Sequence, residues 1–217
     1  MDIGVFIFDT DYSINISELA RELEERGYES LFVPEHTHIP TSRRSPFPGG
    51  GELPKQYSHT LDPFVSLGFA AASTKNLKIG TGICLLPQRD PIVTAKSIAS
   101  LDLMSKGRFV LGLGGGWNVD EMENHGVTYK TRFAMMKEHV LAMKSLWVDE
   151  EAEFHGEYIN FDKSWAYPKP VQKPYPPILM GGETDYTLKR VVDYCDGWFP
   201  RGRGGFDAGE SMQRLKN

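Results

Sequence analysis

The chain has 217 residues, 40% of them hydrophobic and 24% charged, which is the range of one ordinary globular domain. Its net charge of -5 gives no broad basic field, so nucleic acid is not an expected partner. No apolar run approaches the roughly 20 residues that cross a bilayer, and the first residues lack the basic start of a signal peptide. We therefore expect a cytoplasmic protein, with its two cysteines, Cys84 and Cys195, reduced.

The chain opens with a strand, a helix and a second strand. Ile3 to Phe8 is short, apolar and β-branched, which is typical of a buried strand. Ser13 to Gly27 has helical apolar spacing and ends at a glycine, which adopts a left-handed cap at little cost. Ser30 to Val33 is the second predicted strand, so the fold begins with a β-α-β unit.

The same alternation continues along the chain. Asp62-Pro63 and Asp90-Pro91 each place a capping acid before a proline, so both predict the start of a helix. The other predicted elements are strands over Leu77 to Leu85, Arg108 to Gly112, Ile178 to Met180 and from Trp198, and helices over Tyr129 to Trp147 and Asp185 to Tyr194.

Six strands that alternate with helices predict a parallel sheet, either doubly wound or barrel-like. The G-x-G-x-x-G signature of a dinucleotide fold does not follow the first strand. Glycine-rich strand ends occur instead at residues 80–82, 112–116 and 181–182, as a barrel needs to build one pocket from many strand ends. We predict an α/β fold with one TIM-type (β/α)-barrel domain over residues 1–217, truncated after about six strand-helix units.

Two segments interrupt this repeat. Residues 37–60 are rich in Pro, Gly, Ser and Arg, and a loop of that length is usually functional or disordered, so we predict a lid. Residues 152–177 contain a predicted hairpin that turns at Gly156, followed by a proline-rich stretch that resists regular structure. We predict that this second segment is an inserted arm.

Three passages carry a resemblance to a known family: IGTGICLLPQRDPIVTAKSIASLDLMSKGRFVLGLGGGWNVDEMENHG, YKTRFAMMKEHVLAMKSLW and PPILMGGETDYTLKRVVDYCDGWFP. In their order and spacing the chain resembles the luciferase-like monooxygenase superfamily, especially its F420-dependent oxidoreductase branch, over nearly its whole length. The family fold is an eight-stranded (β/α)-barrel, whereas the pattern here gives six strands. The resemblance therefore implies either a fragment or a naturally reduced barrel.

The resemblance implies hydride transfer between coenzyme F420, which we prefer, or FMN and a small organic substrate. An FMN-dependent monooxygenase acting with O2 is one alternative, since both rings present nearly the same edges. A non-catalytic flavin-binding protein with a reduced barrel is an alternative of another class. Family members commonly pair, so a homodimer is also expected, and an open sheet would have edges to cover.

His36 is the predicted catalytic residue. It closes the second strand, where barrel active sites form, and a histidine there can exchange protons near neutral pH. The resemblance implies a position beside the reactive carbon of the cofactor; a histidine hydrogen-bonded into the barrel top is the alternative. Because Glu35, His36 and His38 alternate along an extended segment, they point to opposite faces and no metal site is expected.

Thr81, Gly82, Ile83 and Cys84 end the third strand and are predicted to bind the cofactor. The resemblance implies a bulge here that supports the flavin ring from behind, with a cis peptide bond between Gly82 and Ile83. The alternative is a plain glycine bend that lets strands pack closely.

Gly114, Gly115, Gly116, Trp117 and Asn118 follow the fourth strand. Bare backbone can approach a planar ring, and Asn118 offers both a donor and an acceptor, so this loop is predicted to bind the cofactor edge. Alternatively, Trp117 plugs the barrel top. Relatives that oxidise glucose 6-phosphate carry a glutamate where this chain has Gly115, which disfavours that sugar as substrate.

Gly181 and Gly182 lie between a strand and a helix whose free N–H groups suit a phosphate, so they complete the predicted cofactor site. A glycine turn before a capping Thr184 explains the same residues without a ligand. Arg201 and Arg203 follow the sixth strand and are candidates to neutralise the phosphate, or are solvated.

Overall fold

The computed structural model describes residues 2–201 together with residues 207, 209–210 and 213. Six parallel strands form the main sheet, in the order β1-β2-β3-β4-β7-β8, and β5 and β6 form a separate antiparallel pair. The strands are β1 (Gly4–Phe6), β2 (Ser30–Val33), β3 (Lys78–Cys84), β4 (Phe109–Leu113), β5 (Ala152–His155), β6 (Asn160–Ser164), β7 (Ile178–Gly181) and β8 (Gly197–Phe199). The helices are α1 (Ile16–Glu25), α2 (Pro63–Ala72), α3 (Pro91–Ser105), α4 (Val119–Asn124), α5 (Arg132–Val148) and α6 (Asp185–Tyr194).

The main sheet curls into a half-barrel whose concave side is aromatic. A Cβ atom at Gly80 would meet the ring of Phe32, and one at Gly82 would meet the ring of Phe6, so these two phenylalanines lie over the glycines of β3. The ring of Phe32 on β2 lies 5.1 Å from that of Phe199 on β8, near the opposite edge of the sheet. The prediction of an α/β, barrel-type fold with six parallel strands is therefore confirmed.

The core lies between the convex side of the sheet and the helices. Leu31 on β2 pairs with Ile79 on β3, Leu111 on β4 pairs with Ile178 on β7, and all four side chains have no exposed surface. Helices α1, α2, α3 and α5 pack in that order around this face. Within the described residues, no helix is long and apolar enough to span a membrane.

The expectation that the first strand is buried was wrong. Ile3 and Phe6 are 52% and 48% exposed, and the regular strand covers only Gly4–Phe6. The physical reason is the position of β1 at an edge of the open sheet, where it pairs with β2 on one side only among the described residues. An apolar, β-branched sequence does not distinguish an edge strand from a central one.

Side-chain caps set the helix boundaries. Asp62 and Asp90 accept hydrogen bonds from the first turns of α2 and α3, which begin at the predicted prolines. Helix α1 begins three residues later than predicted because Asn15 caps it by accepting a bond from the N–H of Ser17. Helix α4 was not predicted, since six residues are too few to show helical periodicity.

One carboxylate holds the tip of the β5–β6 hairpin against α5. Glu138 accepts hydrogen bonds from the backbone N–H groups of Glu157, Tyr158 and Ile159 at 2.7–3.0 Å. Burial alone would raise the pKa of the Glu138 carboxyl, but these three donors bring the pKa below its ordinary value. The hairpin is therefore fixed to the half-barrel at its turn.

Candidate active site

The carboxyl ends of the six parallel strands meet at one rim of the half-barrel. The predicted site residues lie at or just beyond the ends of four of them, β2, β3, β4 and β7. Parallel pairing therefore brings to one edge residues that are more than 100 positions apart in sequence.

His36 is held at this rim by a buried carboxylate. Its Nδ1 atom lies 2.7 Å from Oε2 of Glu121, and the two side chains are 5% and 0% exposed. The other oxygen of Glu121 accepts the backbone N–H of Thr37 at 3.2 Å, and the Thr60 hydroxyl donates to the His36 carbonyl. When Nδ1 donates to the Glu121 carboxylate, Nε2 is the ring nitrogen left for another partner.

A second buried acid, Glu35, joins the ends of β2 and β3. One of its oxygens accepts from Nε of Arg89 at 2.6 Å, and the other accepts the N–H of Leu85 at 2.7 Å. Arg89 also bonds to the helix-capping Asp62. Burial, together with the charge of Glu35, raises the pKa of the Cys84 thiol well above its usual value. The ion pair between Glu35 and Arg89 therefore fixes the segment from which His36 projects.

Aromatic side chains surround the His36 ring. Tyr57 and Trp117 have ring centroids 5.3 and 5.7 Å from it. Phe47 lies 5.2 Å from Tyr57 and 6.1 Å from Trp117, and Phe8 lies 4.8 Å from Tyr57. The 37–60 loop supplies Phe47 and Tyr57, so this loop forms part of an apolar wall beside the histidine.

Asp120, the neighbour of Glu121 on α4, anchors the 37–60 loop. Its oxygens accept from the hydroxyls of Ser42 and Ser45 at 2.6 and 3.2 Å and from the backbone N–H of Arg44 at 3.2 Å. The Ser42 hydrogen bond, against a smaller opposing effect of burial, lowers the pKa of the Asp120 carboxyl below its ordinary value, and the charge of Arg44 adds to this. One short helix thus holds both the loop and the histidine.

The end of β3 contains a bulge but not the cis peptide bond expected there. Its register with β4 shifts between Thr81 and Cys84, whereas the cis bonds of the described residues are Tyr167–Pro168 and Lys173–Pro174. The Gly82–Ile83 peptide bond is trans, so the shift in strand pairing occurs here without a cis bond. The inner side of Gly82 is covered by Phe6, which agrees with the close-packing alternative.

Of the four residues at the end of β3, Ile83 contacts other predicted cofactor residues through its side chain, whereas Cys84 does so through its carbonyl, which accepts the N–H of Gly114 at 3.0 Å. The Ile83 side chain lies beside the positions where Cβ atoms of Gly114 and Gly181 would stand. The Thr81 hydroxyl donates to the Gly112 carbonyl, and both Thr81 and Cys84 are completely buried. The Cys84 side chain therefore cannot line an open pocket.

The glycine loop after β4 packs closely on its surroundings. A Cβ at Gly115 would lie 2.8 Å from the Phe133 ring, and Gly116 has a positive φ of +73°. Asn118 is 1% exposed and caps α4 by accepting from the N–H of Glu121. Trp117 packs edge-on to His36, so the loop lies beside the histidine as well as beside Ile83.

The α6 N-terminus is already supplied with its own polar partners. Thr184 caps the helix by accepting a hydrogen bond from the N–H of Thr187. Gly182 lies next to the Thr187 side chain and has a positive φ of +118°. Arg201 forms an ion pair with Glu183, with Nε 2.9 Å from one carboxylate oxygen. Arg201 is therefore not a solitary cation, and Arg203 lies outside the described residues.

Two arginines that sequence reasoning missed lie beside the glycine loop. Their guanidinium carbons are 4.3 Å (Arg132) and 3.8 Å (Arg190) from the Phe133 ring centroid, and Phe133 itself packs on Gly115. Neither arginine has a carboxylate partner within the described part of the chain, and Nε of Arg132 is buried without a hydrogen bond. Burial lowers the pKa of the Arg132 guanidinium, and the charge of Arg190 adds to that effect.

The acidic and imidazole groups of the rim do not converge on a point. Glu35 faces Arg89, His36 faces Glu121, and His38 bonds to Thr37. Within the residues that the structure describes, no group of three or more such side chains could hold a metal ion.

We predict that Asp120→Asn loosens the 37–60 loop at neutral pH. An amide repels some of the donors that the carboxylate accepts, so trypsin should cleave the folded variant after Arg43 and Arg44 about ten-fold faster than wild type. Mass spectrometry of the fragments measures these rates. The control, Glu123→Gln, removes an exposed partner of Arg44 and should change cleavage little.

The pH dependence of stability provides a second test of the Asp120→Asn substitution. Because folding lowers the pKa of Asp120, its contribution is complete above about pH 4 and is lost as the pH falls through the lowered value. The difference in free energy of unfolding between wild type and Asp120→Asn should therefore vanish in acid. Equal cleavage of the two proteins at pH 7 would show that Asp120 does not anchor the loop.

Comparisons with known proteins agree with this architecture. The profile of the luciferase-like monooxygenase family matches residues 1–217. An uncharacterized protein of Mycobacterium tuberculosis is 44% identical over 221 residues, covering 100% of this chain and 78% of that protein. The F420-dependent glucose-6-phosphate dehydrogenase of Kineococcus radiotolerans is 29% identical over 180 residues, covering 79% of this chain and 48% of that enzyme.

A solved structure shows the same fold. The monooxygenase RslO1 from Streptomyces bottropensis superposes with a TM-score of 0.80 at 23% identity, covering 99% of this chain. The chain spans 63% of the length of that enzyme. By sequence and by fold, the chain belongs to the luciferase-like monooxygenase family.

Proposed function

We propose that this chain binds a flavin or deazaflavin cofactor, F420 in preference to FMN, and supports hydride transfer between it and a small organic substrate. The observation that carries the proposal is the buried His36–Glu121 pair at the carboxyl rim. A histidine fixed by a carboxylate through Nδ1 has Nε2 available for proton exchange with a substrate. The F420-dependent relative supports the preference for the deazaflavin.

In this proposal the protein supplies orientation and proton handling, and acceptance or donation of a hydride is the chemistry that a bound cofactor would supply. Nε2 of His36 takes the proton of a substrate hydroxyl as the carbon loses its hydride, and returns it to a carbonyl oxygen in the reverse direction. Glu121 acts through His36 by fixing its tautomer and orientation. The aromatic wall excludes water, and the 37–60 loop acts as the lid over the site.

The residues present fit such a cofactor at its ring. Gly114 and Gly181 pack directly on the Ile83 side chain, which supports Ile83 as the residue behind a flat ring. Buried amide groups near Gly116 have unused hydrogen-bonding capacity. These features support the predicted cofactor role of this part of the rim.

Arg132 and Arg190 are the residues that we propose for the phosphate of the cofactor. They are half-buried, lack acidic partners among the described residues and both contact the ring that packs on Gly115. Two such cations gain a partner when a phosphate binds beside them. This assignment replaces Arg201, whose charge is matched by Glu183.

The decisive test is a titration of protein fluorescence with FMN and, in parallel, with F420. We expect micromolar or tighter binding of at least one. With that cofactor and a panel of secondary alcohols and ketones, His36→Gln should keep cofactor affinity but lower turnover by about 10²–10⁴-fold. His155→Gln, an exposed histidine on β5, is the matched control.

The outcomes separate the alternatives. Oxygen consumption with reduced FMN would favour the monooxygenase over the dehydrogenase, and binding without turnover would favour a flavin-binding protein. Binding of neither cofactor would contradict the proposal.

The phosphate site has its own test. We predict that Arg190→Met weakens FMN binding about ten-fold while leaving riboflavin, which lacks the phosphate, unchanged, because a charge-assisted hydrogen bond is lost. Lys189→Met removes the same charge from the neighbouring exposed position and should affect neither ligand. An equal loss of affinity for both ligands would place Arg190 outside a phosphate site.

We further propose that two copies pair through the outer face of α2 and α3. Val65 and Met104 are 61% and 79% exposed there and border a groove that also contains Gly68, Ser97 and Ser100. A face with protruding apolar side chains beside a groove of small residues is self-complementary about a two-fold axis.

We predict that Met104→Glu converts a dimer into a monomer, because it places a charge in an apolar interface. Light scattering during size-exclusion chromatography measures the mass of each variant. Val192→Glu, at a 76% exposed apolar position on α6, should stay dimeric. A monomeric wild type at micromolar concentration would contradict the pairing.

A further inference from the structure

Two amide side chains near the glycine loop hold polar atoms that are buried and have no hydrogen-bond partner. In Gln88, which ends a short 3₁₀ turn after β3, both Oε1 and Nε2 are in this state. In Asn118 only Nδ2 is unpaired, because Oδ1 accepts the N–H of Glu121. Asn118 is 1% exposed, so bulk water does not reach its amide nitrogen.

Such unpaired groups are costly, which makes their presence informative. A buried donor or acceptor without a partner loses its hydration and gains nothing in exchange. Most buried polar side-chain atoms in proteins are hydrogen-bonded, so each exception calls for an explanation. By contrast, the amide of Gln172 donates to Asp102 and to the Phe109 carbonyl.

The unpaired atoms border the loop to which the cofactor edge was assigned. A Cβ at Gly116 would stand 3.7 Å from Nε2 of Gln88, with the Met122 and Leu85 side chains closer still, so the amide lies next to this loop. Asn118 follows two residues later in the same loop. Both amides therefore belong to the surroundings of the glycine loop, at the rim that holds His36.

Their chemistry selects one kind of ligand edge. The free atoms are two N–H donors, from Asn118 and Gln88, and one carbonyl acceptor, from Gln88. A cyclic imide presents the complement: an N–H between two carbonyl oxygens. The pyrimidinedione ring of both flavins and deazaflavins carries such an imide.

We infer that Gln88 and Asn118 together recognise the cyclic imide edge of the cofactor ring, with Gln88 as a binding residue not previously assigned. This inference rests on the proposed function. It assigns to Gln88 a paired contact with the imide N–H and one carbonyl, and to Asn118 a contact with the second carbonyl. Cofactor binding then satisfies groups that are unpaired in the free protein.

The first experiment compares the stability of the cofactor-free proteins. Gln88→Met keeps the size of the side chain and removes the unpaired amide, so it should raise Tm by about 2–6 °C. Gln172→Met makes the same change at an amide that is hydrogen-bonded and should lower Tm. Differential scanning calorimetry measures both shifts.

The second experiment uses the ligand to test the contact itself. FMN and its 3-methyl analogue, which lacks the imide N–H, are titrated into wild type and Gln88→Met. If F420 alone binds, its deazariboflavin core and the 3-methyl form of that core replace them. Gln88→Met should weaken the unmodified ligand about ten-fold and the methylated one hardly at all. Asn118→Asp, which keeps the cap of α4 but loses the donor, should also weaken the unmodified ligand.

The outcomes are distinct. A raised Tm with unchanged affinity would overturn the inference and assign the amide to an internal water. Equal weakening of both ligands would assign Gln88 a purely structural role and also overturn it. If wild type binds neither ring system, the proposed function fails and the inference with it, whereas binding without coupling overturns the inference alone.

Discussion

Parallel pairing of six strands is the constraint on which the rest of the structure depends. Because every strand of the main sheet runs the same way, every strand end opens at one rim, and the residues of the site meet there. The curl of the sheet places Phe32 against Phe199, so aromatic side chains fill the concave side below the rim. The rim is therefore the place where side chains remain available for chemistry.

At that rim, one six-residue helix carries two adjacent carboxylates with different tasks. Glu121 fixes His36, and Asp120 gathers the donors of the 37–60 loop. Since the two acids are neighbours on α4, the same helix holds both the loop and the histidine.

Within the described part of the chain, four other side chains near the rim lack either a hydrogen bond at a buried atom or an acidic partner. Arg132 and Arg190 lack acidic partners among the described residues, and the amides of Gln88 and Asn118 hold atoms without hydrogen bonds. A buried polar group without a partner lowers stability, and this cost is the basis of the proposed cofactor contacts. In the proposals made above, the cations beside Phe133 would hold the phosphate of the cofactor, and the amides would hold its imide.

The sequence by itself determined the element order, the capped starts of α2 and α3 and the position of His36, because periodicity, Asp-Pro pairs and strand ends are local signals. It also gave the family, through motifs that span the chain. Only the tertiary structure decided that Glu121, 85 residues away, holds His36, that β1 lies at an exposed edge, and that the bond after Gly82 is trans. Partners distant in sequence, strand neighbours and peptide geometry depend on packing between elements, and local patterns do not encode that packing.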